Sequence, residues 1–95
     1  MNLDIRLDTR FLDNPKTKRL IQQGGEKTLR CLLSLWLWAA MNRPDGNLEG
    51  LDKADIDIIS NWDDTSRSFT DMLVERGWLD GTSPNGYSLH HWSEN

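Results

Sequence analysis

The stretch Ser66-Arg67-Ser68-Phe69-Thr70-Asp71-Met72-Leu73-Val74-Glu75-Arg76-Gly77-Trp78-Leu79-Asp80, continued by Gly81-Thr82-Ser83-Pro84-Asn85-Gly86 and Tyr87-Ser88-Leu89-His90-His91-Trp92, decides the fold. Phe69, Met72 and Leu73 stand at i, i+3 and i+4, the spacing of one helix face. The segment 63–66 offers several caps, so a helix is expected over Ser66–Arg76, with Gly77 ending it. Beyond the glycine, Trp78–Asp80 and Tyr87–Trp92 read as two extended runs. The loop 81–86 between them is rich in Gly, Ser, Pro and Asn, which suits a hairpin.

Upstream, Asn14-Pro15 marks a helix start, because Asn can cap free N–H groups and Pro fits the first helical position. This first helix is expected from Pro15 to Gln23 and ends at Gly24-Gly25. A second helix is expected from Glu26 to Asn42. Leu29, Leu32, Leu33, Trp36 and Ala40 form its main stripe, but Cys31, Leu35, Leu37 and Trp38 extend the apolar surface almost all round, which predicts a central, buried helix. Arg43-Pro44-Asp45-Gly46 has the chemistry of a turn and leads to a short strand at Asn47-Leu48-Glu49. A third helix starts near Asp52, with Leu51, Ile58, Ile59 and Trp62 expected on its inner face. Residues 3–12 alternate loosely, as a strand or ordered arm would.

Helix, helix, short strand, helix, helix, hairpin is the order of a winged helix-turn-helix. The expected fold is therefore mainly α with a small β-hairpin, about four helices plus a C-terminal wing, in a single domain over residues 1–95. The five tryptophans among 95 residues are expected to be the largest contributors to its core, since each aromatic can bury ~150–250 Å². Trp36, Phe69, Leu73 and Leu89 are expected to be buried together, with the fourth helix and the hairpin packed on the second helix.

The net charge of −4 is unevenly placed: residues 1–47 hold eight Lys/Arg against five Asp/Glu, and residues 48–95 hold three against ten. Contact with phosphate is accordingly expected from the first half. Lys16, Lys18 and Arg19 on the first helix, with Lys27 and Arg30 at the start of the second, form the one basic cluster; an ordinary solvated helix surface is the competing reading. Arg67 is the cation at the entrance of the fourth helix. Its neighbours Asp63, Asp64 and Asp71 oppose the counterion-release term that dominates non-specific DNA affinity. In a DNA-binding winged helix this fourth helix would lie in the major groove, presenting Arg67, Ser68, Thr70, Asp71 and Glu75.

The runs Phe11-Leu12-Asp13-Asn14-Pro15-Lys16, Leu35-Trp36-Leu37-Trp38-Ala39-Ala40 leading to Asn42-Arg43-Pro44-Asp45-Gly46-Asn47-Leu48, and Gly86-Tyr87-Ser88-Leu89-His90-His91-Trp92 together resemble the N-terminal winged-helix domain of phage and prophage replication-initiation proteins, the replisome-organiser group. The resemblance implies a domain that contacts DNA, mediates self-association, or both, and that in longer members precedes a further C-terminal domain. The leading expectation is a DNA-binding module using Lys16, Lys18, Arg19, Lys27, Arg30 and Arg67. The alternative is a protein-interaction module, joining copies of itself, as a homodimer, or a replication partner without direct DNA contact.

Other motifs have plainer readings. Gly24-Gly25-Glu26-Lys27-Thr28 lacks the outer glycine and the preceding strand of a phosphate-binding loop, and reads as an inter-helix turn. His90 and His91, adjacent on an expected strand, would point to opposite faces and cannot chelate one metal; one is expected against the core and the other in solvent. Asp52, Asp55, Asp57, Asp63 and Asp64 lack the Gly and distal Glu of a calcium loop and read mostly as helix caps and a solvated face. Cys31 sits among apolar neighbours, as an inert buried thiol does. No catalytic residue, metal or cofactor is expected. With no signal-peptide pattern and no membrane-length apolar run, a cytoplasmic location without membrane contact is expected.

Overall fold

A computed structural model describes residues 11–82 and 86–90. Four helices, α1 (Pro15–Gly24), α2 (Lys27–Asn42), α3 (Lys53–Ile59) and α4 (Phe69–Glu75), precede two strands, β1 (Leu79–Thr82) and β2 (Gly86–Leu89). The strands pair antiparallel, with Leu79 opposite Leu89 and Thr82 opposite Gly86. This is the mainly helical, hairpin-ended arrangement of a small winged helix.

Local chemistry sets most boundaries. Asn14 Oδ1 accepts the Lys16 N–H at 2.9 Å, with Pro15 in the first turn. Gly25 ends α1 at φ +86°, a conformation that glycine adopts without steric cost. Gly24 is needed for a different reason: a Cβ there would run into Thr28 Cγ2 and touch Met72, so its absence lets α1 and α2 meet closely. On α3, Asp52 and Asp55 exchange side-chain-to-backbone bonds of 2.9 and 3.2 Å, a complete capping box.

The fourth helix is shorter than expected. Asp64 Oδ1 accepts both the N–H and the hydroxyl of Ser66, at 2.8 and 2.6 Å, so residues 64–66 form a turn rather than a helix start. Ser68 is the cap instead, accepting from Asp71 N at 3.2 Å. The hairpin is displaced towards its loop, since Thr82 and Gly86 already pair as strand residues. Asn47-Leu48-Glu49 forms only an isolated bridge, Asn47 to Ser88, reinforced by Leu48 N–H to the Tyr87 carbonyl at 2.8 Å. Phe11 and Leu12 belong to a turn, not to a strand. The rest of the expected arm, loop residues 83–85, His91 and Trp92 lie outside the described residues.

The core differs from expectation in which faces it takes. Leu20, Leu32, Leu35, Leu48, Ile56, Phe69 and Leu73 are fully buried, and Leu79, Tyr87 and Leu89 nearly so. Phe69 heads the fully buried side chains by volume, whereas Trp36, Trp38, Trp62 and Trp78 are half-buried and frame the core. Trp36 does not join Phe69, Leu73 and Leu89 inside; it packs at the rim with Phe11 and Trp78, ring centroids 5.7 and 5.9 Å away. Helix α4 packs on α3 and β1, while the Trp36 ring carries α2 to the residue before β1.

Two helical faces were misassigned by spacing alone. Helix α2 buries Thr28, Cys31, Leu32, Leu35 and Ala39 and leaves its opposite side open, with Leu37 51% and Met41 59% exposed. On α3 the buried residues are Ile56 and the C-cap Ser60, four apart, and Ile58 is 71% exposed. At about 100° per residue, Ile58 stands roughly 200° round from Ile56 and cannot share its face.

Candidate interaction surface

Three of the six cations expected to contact phosphate are engaged within the fold. Lys16 Nζ lies 4.4 Å from the centre of the Trp78 ring. Partial burial holds its pKa below the usual lysine value, against the opposing pull of Asp80. Lys27 Nζ is 3.3 Å from Asp63 Oδ1 and 4.7 Å from the Trp62 ring centre. That ring stacks on Phe69 at 5.0 Å, so a cation and two aromatics tie the start of α2 to the start of α4. The Arg67 guanidinium donates to the Gln23 carbonyl at 2.8 Å, and the Arg67 carbonyl accepts from Trp62 Nε1 at 3.0 Å. Arg67 therefore clasps the end of α1 instead of reaching outward.

Lys18, Arg19 and Arg30 are exposed, and their side chains make no ion pair, hydrogen bond or ring contact with the described residues. Every other described cation has a partner: Arg43 donates to the Asn47 and Glu49 carbonyls, Lys53 pairs with Asp71 at 2.8 Å, and Arg76 donates to Gln23 Oε1 at 2.6 Å. Lys18 and Arg19 stand on the outer side of α1, opposite the buried Thr17 and Leu20.

Between α1 and α2 runs an open cleft of about 440 Å³ lined by Leu12, Ile21, Glu26, Leu29, Arg30 and Leu33. Leu12 at one end is 57% exposed. Leu29 and Leu33 begin a row, one residue per turn, that Leu37 and Met41 continue beyond the cleft. Helix α3 lies on the other flank of α2, and the segment that follows it is held there by the Cys31 thiol against the Asn61 carbonyl at 3.7 Å and by the Lys27–Asp63 pair. Spacing had hidden this cleft, because Leu29 and Leu33 read as core. The usable signal was that α2 carries more apolar faces than one short chain can cover.

The fourth helix offers an acidic outer side. Its exposed residues are Asp71 and Glu75. Thr70, expected in solvent, is fully buried: its N–H and hydroxyl both donate to Asp57 Oδ1, at 2.8 and 2.7 Å. This carboxylate caps the start of α4 from α3.

The remaining motifs are structural. In the Gly24–Thr28 turn the Thr28 hydroxyl donates to the Gly25 carbonyl at 2.6 Å, and Lys27 is held by Asp63, so neither is presented to a phosphate. Burial raises the Cys31 thiol pKa, the direction of an unreactive cysteine. His90 follows β2 instead of lying on it, half-buried, its Nδ1 within 2.8 Å of both Asp80 carboxylate oxygens. Among the described residues no group of three or more His, Cys, Asp or Glu is placed to hold a metal, and no helix is long and apolar enough to cross a membrane. Compared with known proteins, the chain matches no family model, and no curated protein or solved structure is significantly similar to it.

Proposed function

We propose that this domain is a winged-helix protein-interaction module that engages its partner on the α1–α2 side. The observation that carries this reading is the open flank of α2, where Leu37 and Met41, each more than half exposed, continue the apolar lining of the cleft. Contiguous apolar surface of this kind marks interaction sites more often than isolated exposed residues do. The outer side of α4 supports the same reading, since in the groove-reading position it offers phosphate the carboxylate of Glu75 and an Asp71 already paired with Lys53, and no cation of its own. A setting in phage-type replication initiation follows from the resemblance of the Phe11–Lys16, Leu35–Leu48 and Gly86–Trp92 runs, and is part of this proposal.

A second reading, DNA contact, is favoured by one observation: the side chains of Lys18, Arg19 and Arg30 have no partner among the described residues. Three cations support a log–log salt slope of at most about −3, and a sequence-independent mode through α1 rather than α4. A DNA titration at about 50 and 200 mM salt, with the molar mass in solution, separates the two. The interaction reading expects weak DNA affinity that Leu33→Asp leaves unchanged. Tight binding with a slope near −3, abolished by removing Lys18, Arg19 and Arg30 and indifferent to Leu33→Asp, would replace it with the DNA reading.

A further inference from the structure

We infer that the α1–α2 cleft receives an amphipathic helix from a partner protein, with apolar side chains seated on Leu12, Ile21, Leu29 and Leu33 and carboxylates in its middle turn facing Lys18 and Arg30. The inference rests on the interaction reading above and names the chemistry of the partner.

Shape is the first argument. The row Leu29, Leu33, Leu37 and Met41 is an i, i+4 ridge that advances about 40° round α2 at each step, and at 1.5 Å per residue it spans about 18 Å. An inclined apolar ridge about three turns long can pack against the i, i+4, i+7 anchors of a second helix crossing it at an angle.

Charge is the second argument. Among the nine described cations the three without a side-chain partner among the described residues are Lys18, Arg19 and Arg30, and one of these, Arg30, lines the cleft. Lys18 stands one turn before Ile21 on α1, and Arg30 lines the opposite wall on α2. The carboxylates nearby are at the ends, Asp13 next to Leu12 and Glu26 at the start of α2. The rim is therefore basic in its middle and acidic at its ends. A partner helix with Asp or Glu in its central turn and without acidic ends complements this pattern. A second copy docked by the same face would oppose Lys18 and Arg30 to their own equivalents, which charge disfavours.

The test uses the full, isotopically labelled chain and three synthetic helices of about four turns: one with Leu at i, i+4 and i+7 and Glu in the central turn, one with Lys replacing those Glu residues, and a scrambled acidic control. The expected result is saturable binding of the first peptide, with amide shifts at Ile21, Leu29 and Leu33, and at least about tenfold weaker binding of the other two. Arg30 is exposed, so Arg30→Glu leaves the core intact, and with Lys18 still positive it should abolish the preference between the Glu and Lys peptides. For the unaltered chain, absence of binding, equal binding of the Glu and Lys peptides, or shifts away from the cleft would overturn the inference. If the peptides fail but the chain's molar mass rises with concentration in a manner lost in Leu37→Asp, the occupant is a second copy. The interaction reading would then survive this inference. Failure of both measurements removes both.

Discussion

The two flanks of α2 carry similar residue types and use them in opposite ways. Towards α3 and α4, polar groups are paired with one another: Asp57 holds Thr70, Asp71 holds Lys53, Asp63 holds Lys27, and Arg67 and Arg76 both hold Gln23. Towards α1, the side chains of Lys18, Arg19 and Arg30 hold nothing among the described residues, and Leu12, Leu37 and Met41 stay more than half exposed. Charge count therefore says little about binding until the internal partners are known. A cation bonded to a carbonyl or an aspartate has already used part of the potential that a ligand would feel.

The largest effect should come from the inward flank. Phe69→Ala removes a fully buried ring that also stacks on Trp62. It should cost ~3–5 kcal/mol, a large part of the stability of a small domain, and denaturant unfolding should show little folded protein.

Next is the carboxylate linking α3 to α4. Asp57→Ala leaves the Thr70 N–H and hydroxyl without their shared acceptor in a buried place. The expected loss is ~1–3 kcal/mol, read as a lower denaturation midpoint. A change below about 0.5 kcal/mol, the range of ordinary surface substitutions, would mean that the contrast between the flanks is overstated.

The outward flank sharpens the comparison from the other side. Leu37→Lys sits two residues from the buried Leu35 but on the open face. It should change stability by no more than ~0.5 kcal/mol, whereas Leu35→Ala should cost ~2–5 kcal/mol. Paired thermal melts check this. If Leu37→Lys destabilised as much as Leu35→Ala, the flank would be covered in solution.

The smallest effect is electrostatic. Asp64 accepts two bonds from Ser66, which hold its carboxyl below the ordinary value of 3.8. Its folded pKa is depressed, so the stability it contributes is present above that value and lost as pH falls through the folded one. Asp64→Ala should therefore narrow the stability difference between neutral and strongly acidic solution. An unchanged acid-unfolding curve would show that the turn does not need the charge.

Several features were legible in the chain because they depend on a few adjacent residues. Asn14-Pro15, Asp52 with Asp55, Gly25 and Gly77 are local devices, and each sits at a helix end in the structure. The order of helices and hairpin follows from them. At the start of α4 the local signals at 63–66 pointed to a helix beginning at Ser66; Ser68, beyond them, takes the cap while Asp64 turns the chain before it.

What the sequence by itself determined was thus the kind and order of the elements, since capping and turn chemistry act within about one helical turn. Tertiary structure alone decided which faces were buried and which charges stayed available. Helix α2 is apolar almost all round, so any of several stripes satisfied its periodicity. The close approach at Gly24 and the clasp of Arg67 on Gln23 place its neighbours so that Leu32 and Leu35 are covered and Leu37 and Met41 are not. Burial of one apolar stripe and pairing of one cation are non-local events, governed by which other elements lie within contact distance. That information is spread over the whole chain.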